Sequence, residues 1–259
     1  MRLPPSTTRV TRFRRSARRG ALLGGLLLPV LVACNTDRDR AAEGQASEAA
    51  TAPAIRAPER GSSVDWPVHG LNAAETRFSS LEKINDGNVA ELGLDWYFDY
   101  PAARGKEATP IIVDGRIYTT GSWSHVFAHN AVSGELLWFY DPKVPRDWAV
   151  HLCCDVVNRG VALHDGDVFF GTLDGRLISL DSEDGSLNWE VQTTDRSRPY
   201  SITGAPRIVK DRVIIGNGGS ELGVRGYVSA YDVDDGSMAW RFYTVPGNPE
   251  DGFENAAME

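Results

Sequence analysis

Hydrophobic residues between positions 111 and 243 lie in short runs that are separated by polar turns. Valine, isoleucine, leucine and aromatic residues dominate these runs, and the pairs Asp114-Gly115 and Asp165-Gly166 interrupt the chain between neighbouring runs. Short β-branched and aromatic runs joined by such turn dipeptides are typical of antiparallel strands. Because no segment longer than the N-terminal apolar run has a sustained helical period, the pattern predicts an all-β fold.

The pattern repeats every 51 residues, the interval that separates Gly134, Gly185 and Gly236. Three segments of eleven residues align on these glycines without gaps, and each ends in tryptophan: Ala128–Trp138, Ser179–Trp189 and Ala230–Trp240. A repeat of this length made of strands is typical of β-propeller blades, in which one indole for each blade can fill the gap between neighbouring sheets. Isolated core tryptophans would not be equally spaced.

Each repeat predicts four strands, and a partial repeat is expected around Leu94–Trp96. The predicted strands are Ile111–Val113, Arg116–Thr120, Val126–Asn130, Leu136–Tyr140, Val161–His164, Asp167–Gly171, Arg176–Leu180, Leu187–Val191, Arg207–Val209, Arg212–Gly216, Gly226–Tyr231 and Met238–Tyr243. Three blades and part of another cannot close a ring of roughly four to eight blades. We therefore expect an incomplete propeller of about three to four blades, the N-terminal part of a longer protein.

Charge is distributed unevenly along the chain. Seven arginines and no acidic residue lie within residues 1–33, whereas the remaining residues contain 20 basic and 35 acidic side chains, a net charge of −15. A folded part this acidic repels nucleic acid and attracts cations or basic partners. Nucleic-acid binding is therefore excluded as the function.

Residues 1–33 resemble a bacterial signal peptide of the lipoprotein type. An arginine-rich start leads into the apolar run Ala21–Ala33, which is too short to span a bilayer comfortably. The run ends in Leu31-Val32-Ala33-Cys34, which looks like a lipobox, so Cys34 is expected to carry the lipid. An ordinary signal peptide with an incidental cysteine is the alternative. Arg18-Arg19 also permits a twin-arginine route, although the surrounding residues match that signal poorly.

Residues 34–62 are expected to form a flexible linker between the lipid and the folded part. The segment is rich in Ala, Glu, Arg, Ser and Pro and lacks aromatic residues. It cannot bury enough apolar surface to offset the entropy of ordering. The folded part is predicted to occupy residues 63–259. Together these features predict a membrane-anchored lipoprotein in the periplasm of a Gram-negative bacterium.

Two motifs indicate a family. The eleven-residue segments fit the pattern A-x-D-x-x-T/S-G-x-x-x-W, and residues 153–160 read CCDVVNRG. On these motifs the chain resembles the quinoprotein and quinohaemoprotein alcohol dehydrogenases that use pyrroloquinoline quinone (PQQ), which are built on an eight-bladed propeller. The resemblance covers the folded part from Asp65 to Gly247. Catalytically silent propellers share the blade pattern, so that pattern indicates the fold and not the activity.

The resemblance implies that the adjacent Cys153 and Cys154 form a disulfide ring that lies flat against one face of the quinone. Export to an oxidising compartment favours this pairing, and two neighbouring reduced thiols are the alternative. Arg159 matches an arginine that binds a PQQ carboxylate, a role that suits a bidentate guanidinium. Taken alone, Arg159 would more often form a surface ion pair.

Further residues match the family's cofactor site. Glu107 corresponds to a glutamate that contacts the cofactor near the propeller axis, and Thr203 to a threonine on its carboxylate edge. The matching residues of the family's calcium-site loop are Gly218, Gly219 and Ser220, where the backbone approaches the cofactor, and Glu221, which supplies a metal ligand. A hard divalent ion prefers such oxygen ligands. A glutamate on a loop is usually solvated, so the inference depends on the whole set.

Other cofactor chemistries fit poorly. The pair Gly216-x-Gly218 would need the third glycine of a dinucleotide fingerprint at the position of Glu221, which excludes NAD binding. The five histidines form no haem-attachment motif. His125 and His129 are four residues apart, but on a strand they are interpreted as ordinary polar residues and not as zinc ligands.

The resemblance implies that the complete protein is a PQQ-dependent dehydrogenase that oxidises a small primary alcohol or a related substrate in the periplasm. Its electrons would pass to a cytochrome c or a membrane quinone. Ca²⁺ or a lanthanide is expected beside the cofactor, and both the aspartate base and any haem c site are expected beyond residue 259. No catalytic residue is therefore assigned in this chain, which we expect to be inactive alone. The alternative is a non-catalytic lipoprotein propeller that acts as a scaffold in outer-membrane protein assembly.

Overall fold

A computed structural model of the chain describes residues 65–254 and residue 256. The predicted signal peptide, Cys34 and the linker lie outside the described residues. Within these residues the chain forms three four-stranded antiparallel sheets and five short 3₁₀ helices. No helix among them is long and apolar enough to cross a bilayer.

The sheets follow one another along the chain, and in each the strand order in space is the order in sequence. The first sheet contains β1 (Ile111–Val113), β2 (Arg116–Thr120), β3 (Val126–Asn130) and β4 (Leu136–Tyr140). The second contains β5 (Ala162–His164), β6 (Asp167–Gly171), β7 (Arg176–Asp181) and β8 (Leu187–Gln192). The third contains β9 (Arg207–Val209), β10 (Arg212–Gly216), β11 (Tyr227–Asp232) and β12 (Met238–Tyr243). The 3₁₀ helices are Val89–Glu91, Ser122–Ser124, Arg146–His151, Ser220–Leu222 and Pro249–Asp251.

The all-β propeller fold is confirmed, and eight of the twelve predicted strands have the observed bounds. The other four, β5, β7, β8 and β11, differ by one residue at one or both ends. In β7 the added residue Asp181 pairs with Asp167, and in β11 the added Asp232 pairs with Arg212. Each third strand therefore extends to the first residue of its neighbouring second strand.

The middle sheet is buried on both faces, as its sequence requires. In β6, Val168 and Phe170 pack in one cluster with residues of the first sheet, whereas Phe169 packs in another with residues of the third. All three side chains are fully buried. Because successive residues of a strand point to opposite faces, a strand between two neighbours must be apolar at every position and not at alternate ones.

A tryptophan of one sheet contacts the turn glycine of the next. Trp138 in β4 lies over Gly185, in the turn between β7 and β8, so closely that a Cβ there would be 2.8 Å from Cδ2 of the indole. The indole Nε1 donates to the carbonyl oxygen of Ser182 at 2.9 Å. Gly185 has a φ of +74°, which also favours glycine. The contact with the indole and the positive φ of the turn therefore both require glycine at position 185.

The same contact recurs between the second and third sheets. Trp189 in β8 lies over Gly236, and its Nε1 donates to the Val233 carbonyl at 2.9 Å. Trp240, at the same place in the third sheet, is 44% exposed, and its indole nitrogen makes no hydrogen bond within the described residues. The repeated tryptophan therefore joins each sheet to the one that follows it.

The partial repeat expected around Leu94–Trp96 contains no strand within the described residues. Trp96 nevertheless makes the repeated contact with Gly134, and its Nε1 donates to the Ala131 carbonyl at 3.3 Å. Its ring also stacks on His129 of β3, with ring centroids 6.2 Å apart. The segment therefore supplies the tryptophan of a preceding blade without its strand.

We call the tryptophans that contact the turn glycine of the following sheet docking indoles. Removing one should destabilise the protein more, the more fully its side chain is buried. We expect Trp138→Ala to lower the free energy of unfolding by about 3–5 kcal/mol, because it opens a cavity between two sheets. The matched control Trp240→Ala should cost only about 1–2 kcal/mol, because nearly half of that side chain is already exposed. Urea unfolding of the chain without residues 1–62 measures both losses, and equal losses would contradict the docking role.

Candidate cofactor site

Three of the predicted site residues meet at Arg159, which precedes β5. Its Nη2 lies 2.7 Å from Oε2 of Glu107, before β1, and its Nη1 donates to Thr203 Oγ1 at 2.6 Å, before β9. Backbone bonds support the cluster, since Arg159 N donates to the Thr203 carbonyl at 2.9 Å and Thr109 N to the Arg159 carbonyl at 3.3 Å. One residue from the loop before each sheet therefore meets at one end of the propeller.

The ion pair of Arg159 and Glu107 is accessible to solvent, because 42% of each side chain is exposed. The sequence alone left open whether Arg159 forms an ordinary surface pair. It does form an ion pair, but its partners are two other predicted site residues that lie 52 and 44 positions away in sequence. A partly exposed guanidinium between a carboxylate and a hydroxyl is suited to binding an anionic group.

Arg159 is positioned by its buried neighbour Asn158, which the sequence did not single out. Asn158 is only 1% exposed, and its Nδ2 donates to the Gly171 carbonyl at 2.8 Å and to Ser124 Oγ at 3.1 Å. Its Oδ1 accepts from Gly160 N at 3.1 Å. A buried amide with satisfied donors and acceptor fixes the local backbone. The loop therefore presents the arginine in one orientation.

The adjacent cysteines lie on the exposed loop before β5. Their Sγ atoms are in bonding contact, and the two Cα atoms are 3.8 Å apart. Neither residue makes a side-chain hydrogen bond to Glu107, Arg159 or Thr203 within the described part of the chain. The next residue, Asp155, binds Arg104 and the backbone of Gly105, which join this loop to the one that carries Glu107.

The loop between β10 and β11 reaches the cluster through Ser201. Gly218 N donates to the Ser201 carbonyl at 2.7 Å, and Ser201 N donates back to Gly218 at 3.3 Å. Gly219 has a φ of +106°, and a Cβ there would collide with the carbonyl oxygen of Pro199. Ser220 and Glu221 follow in the exposed helix Ser220–Leu222. Gly219 is therefore required for the loop to lie this close to the segment that ends in Thr203.

Glu221 is not in contact with the Arg159 cluster. Its side chain is exposed and makes no ion pair or hydrogen bond with any described residue. Across residues 65–254 and 256, no group of three or more His, Cys, Asp or Glu side chains is arranged to hold a metal ion. Its predicted role as a metal ligand remains a prediction.

The two histidines near β3 belong to the interior of the first sheet. His125 and His129 are nearly fully buried, and their rings contact Phe127. Burial lowers the pKa of both imidazoles and favours their neutral form. Their surroundings are those of core side chains.

The family is shown by a model of the PQQ-type glucose/ethanol/alcohol dehydrogenase β-propeller domain, which matches residues 66–258. The chain belongs to this family of PQQ dehydrogenase propellers. The match covers all the predicted site residues from Glu107 to Glu221.

Curated members of the PQQ dehydrogenase family are similar over most of this chain. Quinohemoprotein alcohol dehydrogenase ADH IIB of Pseudomonas putida is 58% identical over 205 residues, which are 79% of this chain and 30% of that protein. The 1-butanol dehydrogenase (cytochrome c) of Thauera butanivorans is 52% identical over 75% of this chain and 28% of its own length. The chain thus spans less than a third of the length of these relatives.

Two solved structures are also similar to this chain. The quinohemoprotein alcohol dehydrogenase of Comamonas testosteroni has a TM-score of 0.73 and 49% identity over 75% of this chain and 29% of that chain. A europium-containing methanol dehydrogenase has a TM-score of 0.68 and 39% identity over 72% of this chain and 33% of that chain.

The residues present fit the acidic cofactor of the PQQ dehydrogenases in part. The Arg159 guanidinium and the Thr203 hydroxyl form a donor pair for a carboxylate. The closely packed glycines allow a backbone to lie near a flat ligand. The described part of the chain contains no group of three or more ligating side chains, so further ligands for a metal ion must come from the cofactor or from other residues. The site is therefore best described as a group of donors for an anion, beside a loop that carries Glu221.

Removing the buried side-chain amide of Asn158, the residue before Arg159, should lower the stability of the protein. We expect Asn158→Ala to lower the free energy of unfolding by about 2–4 kcal/mol, because it leaves buried polar groups without partners. The control Asn188→Ala removes an exposed amide that bonds Asp167 at 2.9 Å and should cost less than about 0.5 kcal/mol. Urea unfolding measures both values. If the two variants lose the same stability, Asn158 does not have this positioning role.

Proposed function

We propose that the complete protein is a PQQ-dependent alcohol dehydrogenase. The observation that carries the proposal is the meeting of Glu107, Arg159 and Thr203, one from the loop before each sheet. Their chemistry suits a cofactor with carboxylates on a planar edge. When bound, PQQ supplies the redox chemistry by accepting two electrons from the alcohol. The protein contributes binding, orientation and electrostatic stabilisation.

Each site residue has a proposed role toward this cofactor. Arg159 and Thr203 bind its carboxylate edge, and Glu107 contacts it near the propeller axis. Cys153 and Cys154 form a disulfide whose flat ring covers one face. The loop residues with proposed roles are Gly218, Gly219 and Ser220, which approach the cofactor through their backbone, and Glu221, which binds the metal ion.

The metal and the electron acceptor follow from the same proposal. Ca²⁺ or a lanthanide is proposed because carboxylate oxygens are preferred by hard cations, and one similar structure is that of a europium-containing methanol dehydrogenase. Similar proteins are named as 1-butanol dehydrogenase (cytochrome c) and as alcohol dehydrogenase (quinone), dehydrogenase subunit. We therefore propose a small alcohol as substrate and a cytochrome c or membrane quinone as acceptor. No residue of this chain is assigned as the aspartate base or as a haem c ligand.

The proposed location is the periplasm of a Gram-negative bacterium. Residues 1–33 act as a lipoprotein signal, lipidated Cys34 holds the protein to a membrane, and residues 34–62 form the linker. Oxidation of Cys153 and Cys154 is compatible with that compartment.

Binding of PQQ tests the function. The longest reading frame that contains these residues should be expressed without its signal and titrated with PQQ in Ca²⁺ or La³⁺, by following quinone absorbance. We expect saturable binding that weakens by about tenfold or more in Glu221→Ala, because that variant loses a metal ligand. Dye-linked oxidation of short-chain alcohols should accompany binding.

A matched control separates the loss of a ligand from the loss of a charge. Glu135→Ala removes an exposed glutamate in the first-sheet turn and should leave PQQ affinity unchanged. Absence of PQQ binding with either metal would rule out the dehydrogenase and favour a propeller scaffold.

Lipid attachment at Cys34 is a separate prediction. In a Gram-negative host, Cys34→Ser should abolish incorporation of labelled palmitate. Cys153→Ser, as the control, should keep the label. Labelling that persists in Cys34→Ser would contradict the lipoprotein assignment.

A further inference from the structure

Asp155 joins two loops of the candidate site. It directly follows Cys154, and its Oδ1 accepts from Arg104 Nε at 2.8 Å and also from Arg104 Nη2. Its Oδ2 accepts from the backbone N–H of Gly105 at 3.0 Å. One carboxylate therefore binds both the side chain and the backbone of a segment 50 residues earlier.

The backbone around this contact is closely packed. A Cβ on Gly105 would be 2.9 Å from Cγ1 of Val157 and 3.3 Å from Oδ2 of Asp155. Ser122 Oγ donates to the Gly105 carbonyl at 3.1 Å. Gly105 therefore lies between two fixed groups, and the segment cannot move away from Asp155 without breaking bonds on both sides.

Asp155 itself is held in an unusual conformation. Its φ is +69°, in the left-handed region that non-glycine residues rarely adopt. The Arg104 guanidinium and the Gly105 N–H lower the pKa of the carboxyl far below its usual value, so it is ionised at every physiological pH. The bonds to Arg104 and Gly105 compensate for the backbone strain and keep the residue after Cys154 in one orientation.

Two proposed cofactor contacts depend on this connection. Cys154 is the residue before Asp155, and Glu107 lies two residues after Gly105. Consecutive Cα atoms are about 3.8 Å apart, so neither Cys154 nor Glu107 can move far from the contact between Asp155 and Gly105. The contact therefore limits how far the cysteine pair and Glu107 can separate.

We propose that Asp155 is a positioning residue for the cofactor site, which acts by fixing the Cys153–Cys154 pair relative to Glu107. The inference rests on the proposed function. The carboxylate does not need to touch the cofactor, since its effect passes through Cys154 on one side and Gly105 on the other.

Variants of Asp155 in the full-length protein test the inference. We expect PQQ affinity to fall about tenfold in Asp155→Ala, as for other residues that orient a ligand-binding group. Asp155→Asn should lose less PQQ affinity than Asp155→Ala, because its amide oxygen still accepts one hydrogen bond. The double variant Arg104→Gln/Asp155→Asn should lose less PQQ affinity than the two single variants added together, because both substitutions break the same contact.

A second measurement does not depend on the cofactor. Reduction of the cysteine pair by a phosphine, followed by alkylation and mass spectrometry, should be faster in Asp155→Ala than in the wild type. Removing the contact frees the Cys154 backbone, so the disulfide becomes more accessible to the reductant. A general loss of stability that leaves the folded site intact would not change this rate in the folded state.

Asp232→Asn is the matched control. Asp232 pairs with Arg212 at 2.8 Å in the third sheet and is exposed to a similar extent, 29% against 31% for Asp155. We expect its PQQ affinity and its rate of cysteine reduction to match those of the wild type.

The outcomes distinguish the inference from the function. If the wild type binds PQQ and Asp155→Ala binds it within about twofold, the positioning role is overturned while the function stands. If the wild type does not bind PQQ, the proposed function fails. If the rate of cysteine reduction is also unchanged in Asp155→Ala, the proposal that Asp155 positions the cysteine pair fails as well. Weaker binding together with faster reduction, both absent in Asp232→Asn, supports the role.

Discussion

The contact between an indole and a turn glycine is the interaction on which this architecture depends. A four-stranded sheet that is apolar on both faces cannot be stable alone, because only a neighbouring sheet can cover each face. Trp138 over Gly185 and Trp189 over Gly236 bring the sheets into that relation, and each adds a hydrogen bond to a turn carbonyl. The three consecutive buried apolar residues of β6, Val168 to Phe170, follow from the same constraint.

The candidate site is a consequence of this stacking. Glu107, Arg159 and Thr203 each occupy the loop that leads into the first strand of a sheet, so the sheets must be correctly juxtaposed before the three side chains can meet. Local bonds then refine the geometry. Asn158 orients Arg159 from the interior, whereas Asp155 joins two loops at the surface.

Much of this could be predicted from the sequence because strands, turns and the 51-residue period leave strong local signals. The bounds of β2, β3 and β4 follow directly from the hydrophobic runs and their turns. The structure of Leu94–Trp96 could not be predicted in the same way, because a segment becomes a strand only where a partner strand lies beside it. Trp96 keeps its side-chain contact without that partner.

The site was predictable only as a set of family matches. That Arg159 contacts Glu107 and Thr203 depends on side-chain geometry that no spacing rule contains. Asn158 and Asp155 carried a signal, since both lie in the CCDVVNRG segment, but nothing in the residue types distinguishes a buried amide from an exposed one. The bond between Asp155 and Gly105 spans 50 residues and becomes visible only in three dimensions.

Because the site takes one residue from the loop before each sheet, any ligand held there is bonded to three sheets at once. A ligand that binds only the assembled sheets stabilises their association by mass action. Its binding free energy therefore adds to the stability of the propeller. Occupancy and assembly are thus thermodynamically linked. A change at a remote docking indole would appear as weaker ligand binding, and ligand depletion would appear as weaker cohesion between the sheets.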